Sequence, residues 1–212
     1  MALFQKKPSV TDSAPLYSLG ANKTVLVIGL GNPGKEYAKT RHNIGFEAIE
    51  LFAKQNDFPG WISKKDLKCQ LNIANIGSTR VILCKPETFM NNSGEAALAV
   101  QQFYKIANSQ TIVVYDELAI PFGQIRTRVG GSDAGNNGIK SLINIVGEDF
   151  GRLRIGIGAQ QSIKAEASDF VLGSFNKEER SSLPSVLNEA SVIITEYVFG
   201  SSLPHETRTV ET

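Results

Sequence analysis

The chain of 212 residues has few of the residues on which several classes of protein depend. Its two cysteines and two histidines are too few for a disulfide framework and form a poor ligand set for zinc. It lacks a run of about 18 apolar residues, so no membrane-spanning helix is predicted, and its start lacks the apolar stretch of a secretory signal. We therefore expect a cytoplasmic protein with no membrane partner and no bound metal.

Neither sign of charge dominates the composition. The chain has 22 Lys and Arg against 21 Asp and Glu, and this net charge of +1 argues against a uniformly basic nucleic-acid binder. The charges are unevenly divided, because residues 1–85 carry 12 bases and 6 acids whereas residues 86–212 carry 10 bases and 15 acids. This division suggests one side that faces a polyanion, and scattered, solvated charge is the alternative.

Short apolar segments alternate with amphipathic ones, which is typical of an α/β protein. The patterns predict strands at 24–30, 67–76, 79–84, 111–114, 124–129 and 153–158, and helices at 43–54, 92–104, 138–145 and 177–199. The turn at Gly77 and Ser78 makes the second and third strands a hairpin. We predict an α/β fold with a single domain over residues 24–200, in which a twisted mixed β-sheet has helices on both faces. Residues 1–23 are predicted to be a loosely ordered N-terminal extension, and residues 201–212 a polar C-terminal tail.

Residues 29–34 (GLGNPG) follow a predicted strand and match the GxGxxG pattern of dinucleotide-binding proteins. That pattern requires the third glycine to open a helix packed on the sheet. Here Pro33 precedes that glycine and a polar segment without an apolar face follows it. We therefore favour a tight loop, and a nucleotide-dependent oxidoreductase is the weakest of three functional hypotheses.

His42 and Asp116 are the best candidates for acid–base chemistry. His42 follows the glycine-rich loop and Asp116 follows another predicted strand, at the ends where α/β sheets bind ligands, whereas His205 lies in the polar tail. A carboxylate beside a histidine fixes the tautomer of the ring. No serine or cysteine lies on a G-x-S-x-G elbow, so this pair favours direct attack by water with His42 as the general base. A structural histidine and a capping carboxylate are the alternative.

Two further groups of polar side chains lie at predicted loops and strand ends. Side-chain amides, each typical of a turn or cap, together suit the binding of a peptide backbone or an oxyanion: Asn32, Asn43, Asn91, Asn92, Asn136 and Asn137. The second group consists of basic side chains on or beside the two later strands and the glycine-rich loop. They are either solvated or suited to binding phosphates: Arg126, Arg128, Lys140, Arg152 and Arg154.

Five blocks, in order between residues 24 and 199, resemble the bacterial-type peptidyl-tRNA hydrolase family. They are 29–45 (GLGNPGKEYAKTRHNIG), 85–94 (KPETFMNNSG), 116–141 with its DEL motif and glycine-rich loop, 152–158 (RLRIGIG) and 169–175 (DFVLGSF). The resemblance implies that family's fold, which is also called phosphorylase/hydrolase-like. It also implies an esterase that frees tRNA from the peptides of aborted translation.

The resemblance implies a role for each candidate residue. His42 is expected to be the general base, Asp116 to hold it, and Asn32 and Asn91 to bind the peptide backbone near the ester, where Asn91 also stabilises the oxyanion. The other implied site residues are Tyr37, Met90, Asn136 and Asn137 for the substrate, and Arg126, Arg128, Lys140, Arg152 and Arg154 for tRNA. The implied partner is peptidyl-tRNA, through its acceptor arm and 3′ end. The family needs no metal or cofactor and usually acts as a monomer.

The chain departs from the family at two positions near the expected site. Tyr115 and Asn136 stand where the family usually has histidines, and an asparagine side chain does not titrate near neutral pH. A catalytically weakened relative that acts as an RNA-binding module is therefore the second hypothesis. The presence of both His42 and Asp116 favours the enzyme.

Overall fold

A mixed β-sheet of eight strands organises the chain. The computed structural model describes residues 23–158, 167–200 and 202–211. The strands are β1 (Lys23–Gly29), β2 (Ile62–Lys64), β3 (Cys69–Ile76), β4 (Thr79–Pro86), β5 (Thr111–Pro121), β6 (Gln124–Val129), β7 (Gly151–Gly158) and β8 (Thr207–Thr209). Their order across the sheet is β2-β3-β4-β1-β5-β7-β6-β8. The central strands β4, β1, β5 and β7 are parallel, and the outer strands pair antiparallel.

Helices cover both faces of this sheet. They are α1 (Ile44–Gln55), α2 (Ser93–Tyr104), α3 (Asn137–Val146), α4 (Ala167–Leu172) and α5 (Lys177–Gly200). Val25 and Val27 of β1 join the core beneath α1 and α5, whereas Leu26 and Ile28 join the core beneath α2 and α3. Successive residues of a strand point to opposite faces, so a strand covered on both sides is a continuous apolar run. Burial of each such side chain stabilises the fold by about 1.5–3 kcal/mol.

The structure confirms the predicted fold class, including the mixed sheet and the helices on both of its faces. The predicted hairpin is formed by β3 and β4, with Ile76 opposite Thr79. Strand β5 extends to Pro121, beyond its predicted end at residue 114. After Gly34 the chain forms a short 3₁₀ turn (Lys35–Tyr37), and the first α-helix begins only at Ile44, so the GLGNPG segment does not open the helix that a dinucleotide site requires.

The C-terminal residues 202–211 lie against the sheet. Sequence analysis placed residues 201–212 in a polar tail outside the domain, whereas Thr207–Thr209 form β8 and pair with β6. The guanidinium of Arg208 makes ion pairs that hold this segment to α5 and to its own neighbour, with carboxylate oxygens of Glu189 at 2.9 Å, Glu196 at 2.5 Å and Glu206 at 2.7 Å.

The predicted N-terminal extension (residues 1–23) lies outside the described residues, except for Lys23, which begins β1. Within the described part of the chain, no helix is both long and apolar enough to cross a membrane.

The first turn of α1 approaches the sheet closely at Gly45. A Cβ atom at this position would lie 2.6 Å from the carbonyl oxygen of Leu30 and closer still to that of Val114. The backbone N–H of Leu30 also donates to the Val114 carbonyl, at 2.9 Å. Because α1 can come so near, the 3₁₀ turn Arg41–Asn43 that precedes it lies against the end of β5.

The substitution Gly45→Ala is expected to lower the free energy of unfolding by about 1–3 kcal/mol, because the added methyl group overpacks this junction. The expected loss runs against intrinsic helix propensity, which favours alanine by about 1 kcal/mol. Chemical denaturation followed by circular dichroism measures the change. Gly200→Ala is the matched control, since it is also helical and its Cβ would meet no atom within 4 Å. A Gly45→Ala protein as stable as the Gly200→Ala protein would contradict the close approach.

Candidate active site

A cleft of about 1270 Å³ lies at the carboxyl ends of the central parallel strands. Its lining includes residues of α4, of the 3₁₀ turn Met90–Asn92 and of the loop before α3. His42 and Asp116 both open into this cleft. Its position is the one at which α/β sheets bind ligands, and the sequence placed the candidate residues there.

The structure brings His42 and Asp116 into direct contact. Nδ1 of His42 lies 2.9 Å from Oδ1 of Asp116, and both residues are buried, with 9% and 3% of their surface exposed. His42 belongs to the turn before α1, and Asp116 lies in β5, the strand beside β1. When Nδ1 carries the proton and donates it to the carboxylate, Nε2 keeps a free lone pair. This is the geometry of a base held by an orienting carboxylate.

Asn136 is a second neighbour of the Asp116 carboxylate. Its Nδ2 lies 3.2 Å from Asp116 Oδ1 and 3.2 Å from the Asp116 carbonyl oxygen. Its Oδ1 accepts from the backbone N–H groups of Gly138 and Ile139 at the start of α3. Sequence analysis assigned Asn136 to substrate binding, but both ends of its side-chain amide are occupied by bonds within the protein.

Asn32 is held rigidly at the edge of the cleft by two neighbours. Its backbone N–H donates to Asn43 Oδ1 at 2.8 Å, and its backbone carbonyl accepts from Asn43 Nδ2 at 3.0 Å. Its side-chain Oδ1 accepts from the Met90 N–H at 2.8 Å. The remaining group, Asn32 Nδ2, has no partner among the described residues and is available to donate to a ligand.

The other predicted substrate contacts divide into those that line the cleft and one that does not. Asn91 and Asn137 line it with exposed side chains, and Met90 lines it while 4% exposed. Tyr37 is not among the lining residues. Its ring packs edge-on against Phe89, which is 54% exposed and lines the cleft, with the two centroids 6.3 Å apart.

Three arginines lie together on one face of the sheet beside the cleft. Arg126 of β6 is directly opposite Arg154 of β7, and Arg128 lies two residues further along β6, so all three point to the same side. None makes an ion pair within 4.0 Å among the described residues, and each has a buried Nε without a hydrogen-bond partner there. Burial lowers the pKa of Arg154, and the charges of Arg128 and Arg126 lower it further, against the raising effects of Tyr115 and Glu117.

Arg152 differs from these three arginines. It is 1% exposed, and its guanidinium donates to the carbonyl oxygens of Gly131 and Ser132. It therefore braces the glycine-rich loop, and the structure leaves it no surface for the phosphate contact that sequence analysis assigned to it. Lys140, on α3, is exposed.

Tyr115 and Glu117 flank Asp116 on β5 and point to the opposite face of the sheet. Burial raises the pKa of Tyr115 to about 12, so its phenol is neutral at physiological pH. Glu117 is 3% exposed, and burial raises its pKa, whereas the Ala119 N–H and the charge of Arg154 oppose that shift. The departure from the family at Tyr115 therefore lies away from His42.

Arg41, the residue before His42, anchors the α4 side of the cleft. Its guanidinium lies 4.2 Å from the ring centroid of Phe170, donates to the Ser174 carbonyl at 2.6 Å and pairs with Glu179 at 2.7 Å. The sequence analysis missed Arg41 and the apolar lining residues Phe89 and Leu172. Phe89 and Leu172 lie in the family-like blocks 85–94 and 169–175, and Arg41 lies in the block 29–45 directly before His42.

The arrangement can activate water beside an electrophilic carbonyl. It combines a histidine with a free Nε2, an orienting carboxylate and several amide donors. Among residues 23–158, 167–200 and 202–211, no group of three His, Cys, Asp or Glu side chains is placed to hold a metal ion.

A smaller pocket of about 300 Å³ adjoins the cleft on the other side of Asn32. Glu47 and Glu50 of α1 line it. Burial raises the pKa of Glu47 to about 7, and the charge of Glu50 contributes in the same direction, whereas Arg180 and Lys39 oppose it. Glu47 therefore changes its charge near neutral pH.

Comparisons with known proteins identify the family that the chain resembles. The family model described as "Peptidyl-tRNA hydrolase" matches residues 26–211. The chain is 44% identical over 167 residues to a peptidyl-tRNA hydrolase of Alkaliphilus oremlandii, which covers 78% of this chain and 88% of that protein. It is 40% identical over 181 residues to a peptidyl-tRNA hydrolase of Chlamydia abortus, which covers 84% of this chain and 98% of that protein.

A solved structure shows the same fold. The crystal structure of peptidyl-tRNA hydrolase from Acinetobacter baumannii superposes with a TM-score of 0.79 at 36% sequence identity. The match covers 86% of this chain and 92% of the crystallised chain.

The raised pKa of Glu47 predicts a pH-dependent stability. Between about pH 4.5 and 7 the folded protein binds more protons at this carboxyl than the unfolded chain does, so this group lowers the free energy of unfolding as the pH rises through that window. In the wild type this decrease in the free energy of unfolding amounts to at most about 3 kcal/mol at pH 8. Glu47→Gln is expected to abolish it. Urea denaturation at pH 5 and pH 8 measures it, with the exposed Glu36→Gln as the control. A Glu47→Gln protein with the pH dependence of the wild type would contradict the burial of a protonated Glu47.

Proposed function

The chain belongs to the peptidyl-tRNA hydrolase family, and we propose that it hydrolyses the ester between a peptide and the 3′ end of tRNA with His42 as the general base. The reaction frees tRNA from the peptides of aborted translation. The observation that carries this assignment of roles is the 2.9 Å contact between His42 Nδ1 and Asp116 Oδ1 inside the cleft.

In the proposed reaction His42 Nε2 takes a proton from water as the water oxygen attacks the ester carbonyl. Asp116 accepts a hydrogen bond from the Nδ1–H group and stabilises the imidazolium that forms, and it remains a carboxylate. The tetrahedral intermediate then collapses, the bond from the carbonyl carbon to the tRNA 3′ oxygen breaks, and His42 returns its proton to that oxygen. The products are tRNA with its 3′ hydroxyl and the free peptide acid, which loses its proton to water and becomes a carboxylate. General-base catalysis of this kind contributes about 10²–10⁴-fold.

The amide groups at the cleft suit the peptide side of the substrate. Asn32 Nδ2 is held in place by the bonds of Asn32 to Met90 and Asn43, and it can donate to a peptide carbonyl without reorganisation. Asn91 and Asn137 offer exposed amides at the same cleft. An amide donor to the developing oxyanion contributes about 10²–10³-fold in known esterases and proteases. We assign that role to Asn91 and the positioning of substrate or water to Asn137.

The three arginines that make no ion pair with the described residues suit the RNA side of the substrate. Arg126, Arg128 and Arg154 present guanidinium groups on one face, and a guanidinium matches the geometry of a phosphate. Lys140 adds an exposed charge on α3. We propose that these four residues contact the phosphates of the acceptor arm. The monomeric state and the cytoplasmic location remain predictions.

Incubation of the pure protein with an N-acetyl-aminoacyl-tRNA tests the proposed function. The expected result is catalytic release of deacylated tRNA, measured by acid-gel electrophoresis. Binding of the substrate without release, even at high protein concentration, would favour the RNA-binding module instead.

Substitutions of the two central residues are expected to reduce turnover without loss of tRNA binding. His42→Ala is expected to lower kcat by about 10²-fold or more, because His42 is the one histidine among the described residues that line the cleft. Asp116→Asn is expected to lower kcat by about 10²–10⁴-fold, because the amide favours the wrong tautomer of the ring. Steady-state kinetics and filter binding measure both quantities. An active His42→Ala protein, or an increase in KM alone for Asp116→Asn, would contradict the assigned roles.

The arginine face is expected to control the salt dependence of tRNA binding. The double substitution Arg126→Ala, Arg128→Ala is expected to weaken binding and to reduce the slope of log Kd against log salt by about 1–2, since about one counterion is released for each phosphate contact. Filter binding between about 50 and 200 mM salt measures the slope. Lys54→Ala, at an exposed base on α1, is the control. A slope equal to that of this control would show that the two arginines do not contact phosphates.

A further inference from the structure

Two side chains contact Asp116 Oδ1 at the same time, those of His42 and Asn136. His42 Nδ1 lies at 2.9 Å from this oxygen and Asn136 Nδ2 at 3.2 Å. Asp116 is 3% exposed, so water does not compete strongly for the same oxygen. The amide of Asn136 therefore shares the negative charge that would otherwise face His42 alone.

The orientation of the Asn136 amide is fixed by helix α3. Asn136 is the N-cap of this helix of 10 residues, and its Oδ1 accepts from Gly138 N at 3.0 Å and from Ile139 N at 3.2 Å. A reversed amide would place its N–H₂ group against those two N–H donors. Only the observed orientation satisfies both ends, so Nδ2 must point at Asp116.

These contacts connect the helix to the reacting histidine. The first turn of a helix carries a partial positive charge, and its N–H groups polarise an amide that accepts from them. The polarised amide is then a stronger donor at its Nδ2. The path runs from α3 through Asn136 and Asp116 Oδ1 to His42 Nδ1, and the distance between the hydrogen-bonded atoms is 3.2 Å or less at each step.

We propose that Asn136 is a positioning residue for the His42–Asp116 pair: its amide relays the positive end of α3 to the Asp116 carboxylate and so limits how strongly that carboxylate stabilises a protonated His42. The proposal deepens the proposed function, because it concerns the base of that reaction. A carboxylate that already accepts a second hydrogen bond stabilises an imidazolium less. Loss of the amide donor should therefore make His42 easier to protonate.

Several other charged groups lie near the His42–Asp116 pair. Among the described residues that line the cleft, the titratable side chains are His42, Asp116 and Glu117. Arg154 and Arg126 act on Glu117 from β7 and β6, and Arg41, beside His42, is paired with Glu179 of α5. None of these groups changes when Asn136 is replaced by a neutral residue, so such a variant isolates the contribution of the amide.

Titration of the histidine rings by NMR tests the proposal without substrate. The chain has only two histidines, and the exposed His205 is an internal reference. Asn136→Ser keeps a capping oxygen for α3 but is too short to reach Asp116. It is expected to raise the titration midpoint of the His42 ring by about 0.5 pH units, with the midpoint of His205 unchanged. Asn136→Asp, which keeps the cap and replaces the donor by a negative charge, is expected to raise it by about 1 unit or more.

The neighbouring amide supplies the matched control. Asn137→Ser makes the same change one residue later, at an exposed side chain that does not contact Asp116, and is expected to leave the His42 midpoint unchanged. An unchanged or lower midpoint in Asn136→Ser, or an equal rise in Asn137→Ser, would overturn the proposal. In the hydrolysis assay the acidic limb of log(kcat/KM) against pH should move to higher pH in Asn136→Ser. Failure of the proposed function would abolish that limb in every variant but leave the ring titrations measurable, so the two failures are distinguishable.

Discussion

A hydrogen bond between His42 Nδ1 and Asp116 Oδ1 joins two segments that are 74 residues apart in the chain, and the local structure serves to hold these two atoms 2.9 Å apart. The glycine at position 45 lets the start of α1 approach the end of β5. Arg41 ties the same turn to the α4 side of the cleft through Phe170 and Glu179. Both residues are largely buried. Each additional hydrogen bond to the carboxylate therefore has a larger effect on the histidine than it would at the surface.

The pleat of β5 separates the two kinds of chemistry that the proposed function needs. Asp116 faces the histidine, whereas Tyr115 and Glu117 face the side on which Arg126, Arg128 and Arg154 lie. The arginines proposed to bind phosphates and the Asp116 carboxylate thus point to opposite faces of the sheet and do not pair directly with one another. The net charge of +1 is compatible with the proposed RNA contact, because Arg126, Arg128 and Arg154 lie together and make no ion pair within the described part of the chain.

Sequence alone predicted the parts of the molecule that depend on local pattern. The alternation of apolar and polar segments gave the α/β class, and the position of His42 and Asp116 after predicted strands placed them at one edge of the sheet. What it could not give depends on contacts between distant segments. The N-cap pattern suits Asn136 as a capping residue, but its second bond to Asp116 depends on how α3 packs. Arg152 and Arg154 are two residues apart in β7 and so point to the same face of the sheet, yet the backbone of Gly131 and Ser132 covers only Arg152. Strand β8 lies in a polar segment, and ion pairs between Arg208 and two glutamates of α5 hold it in place.

The central claim is that water, activated by His42, attacks the ester directly, with no protein carboxylate as the nucleophile. Single-turnover hydrolysis of an N-acetyl-aminoacyl-tRNA in H₂¹⁸O, with the enzyme in excess, tests this claim most directly by mass spectrometry of the released acid. The mechanism predicts one ¹⁸O atom in the carboxylate of every acid molecule from the first turnover. Unlabelled acid, with the label instead on Asp116 or Glu117 of the protein, would contradict it.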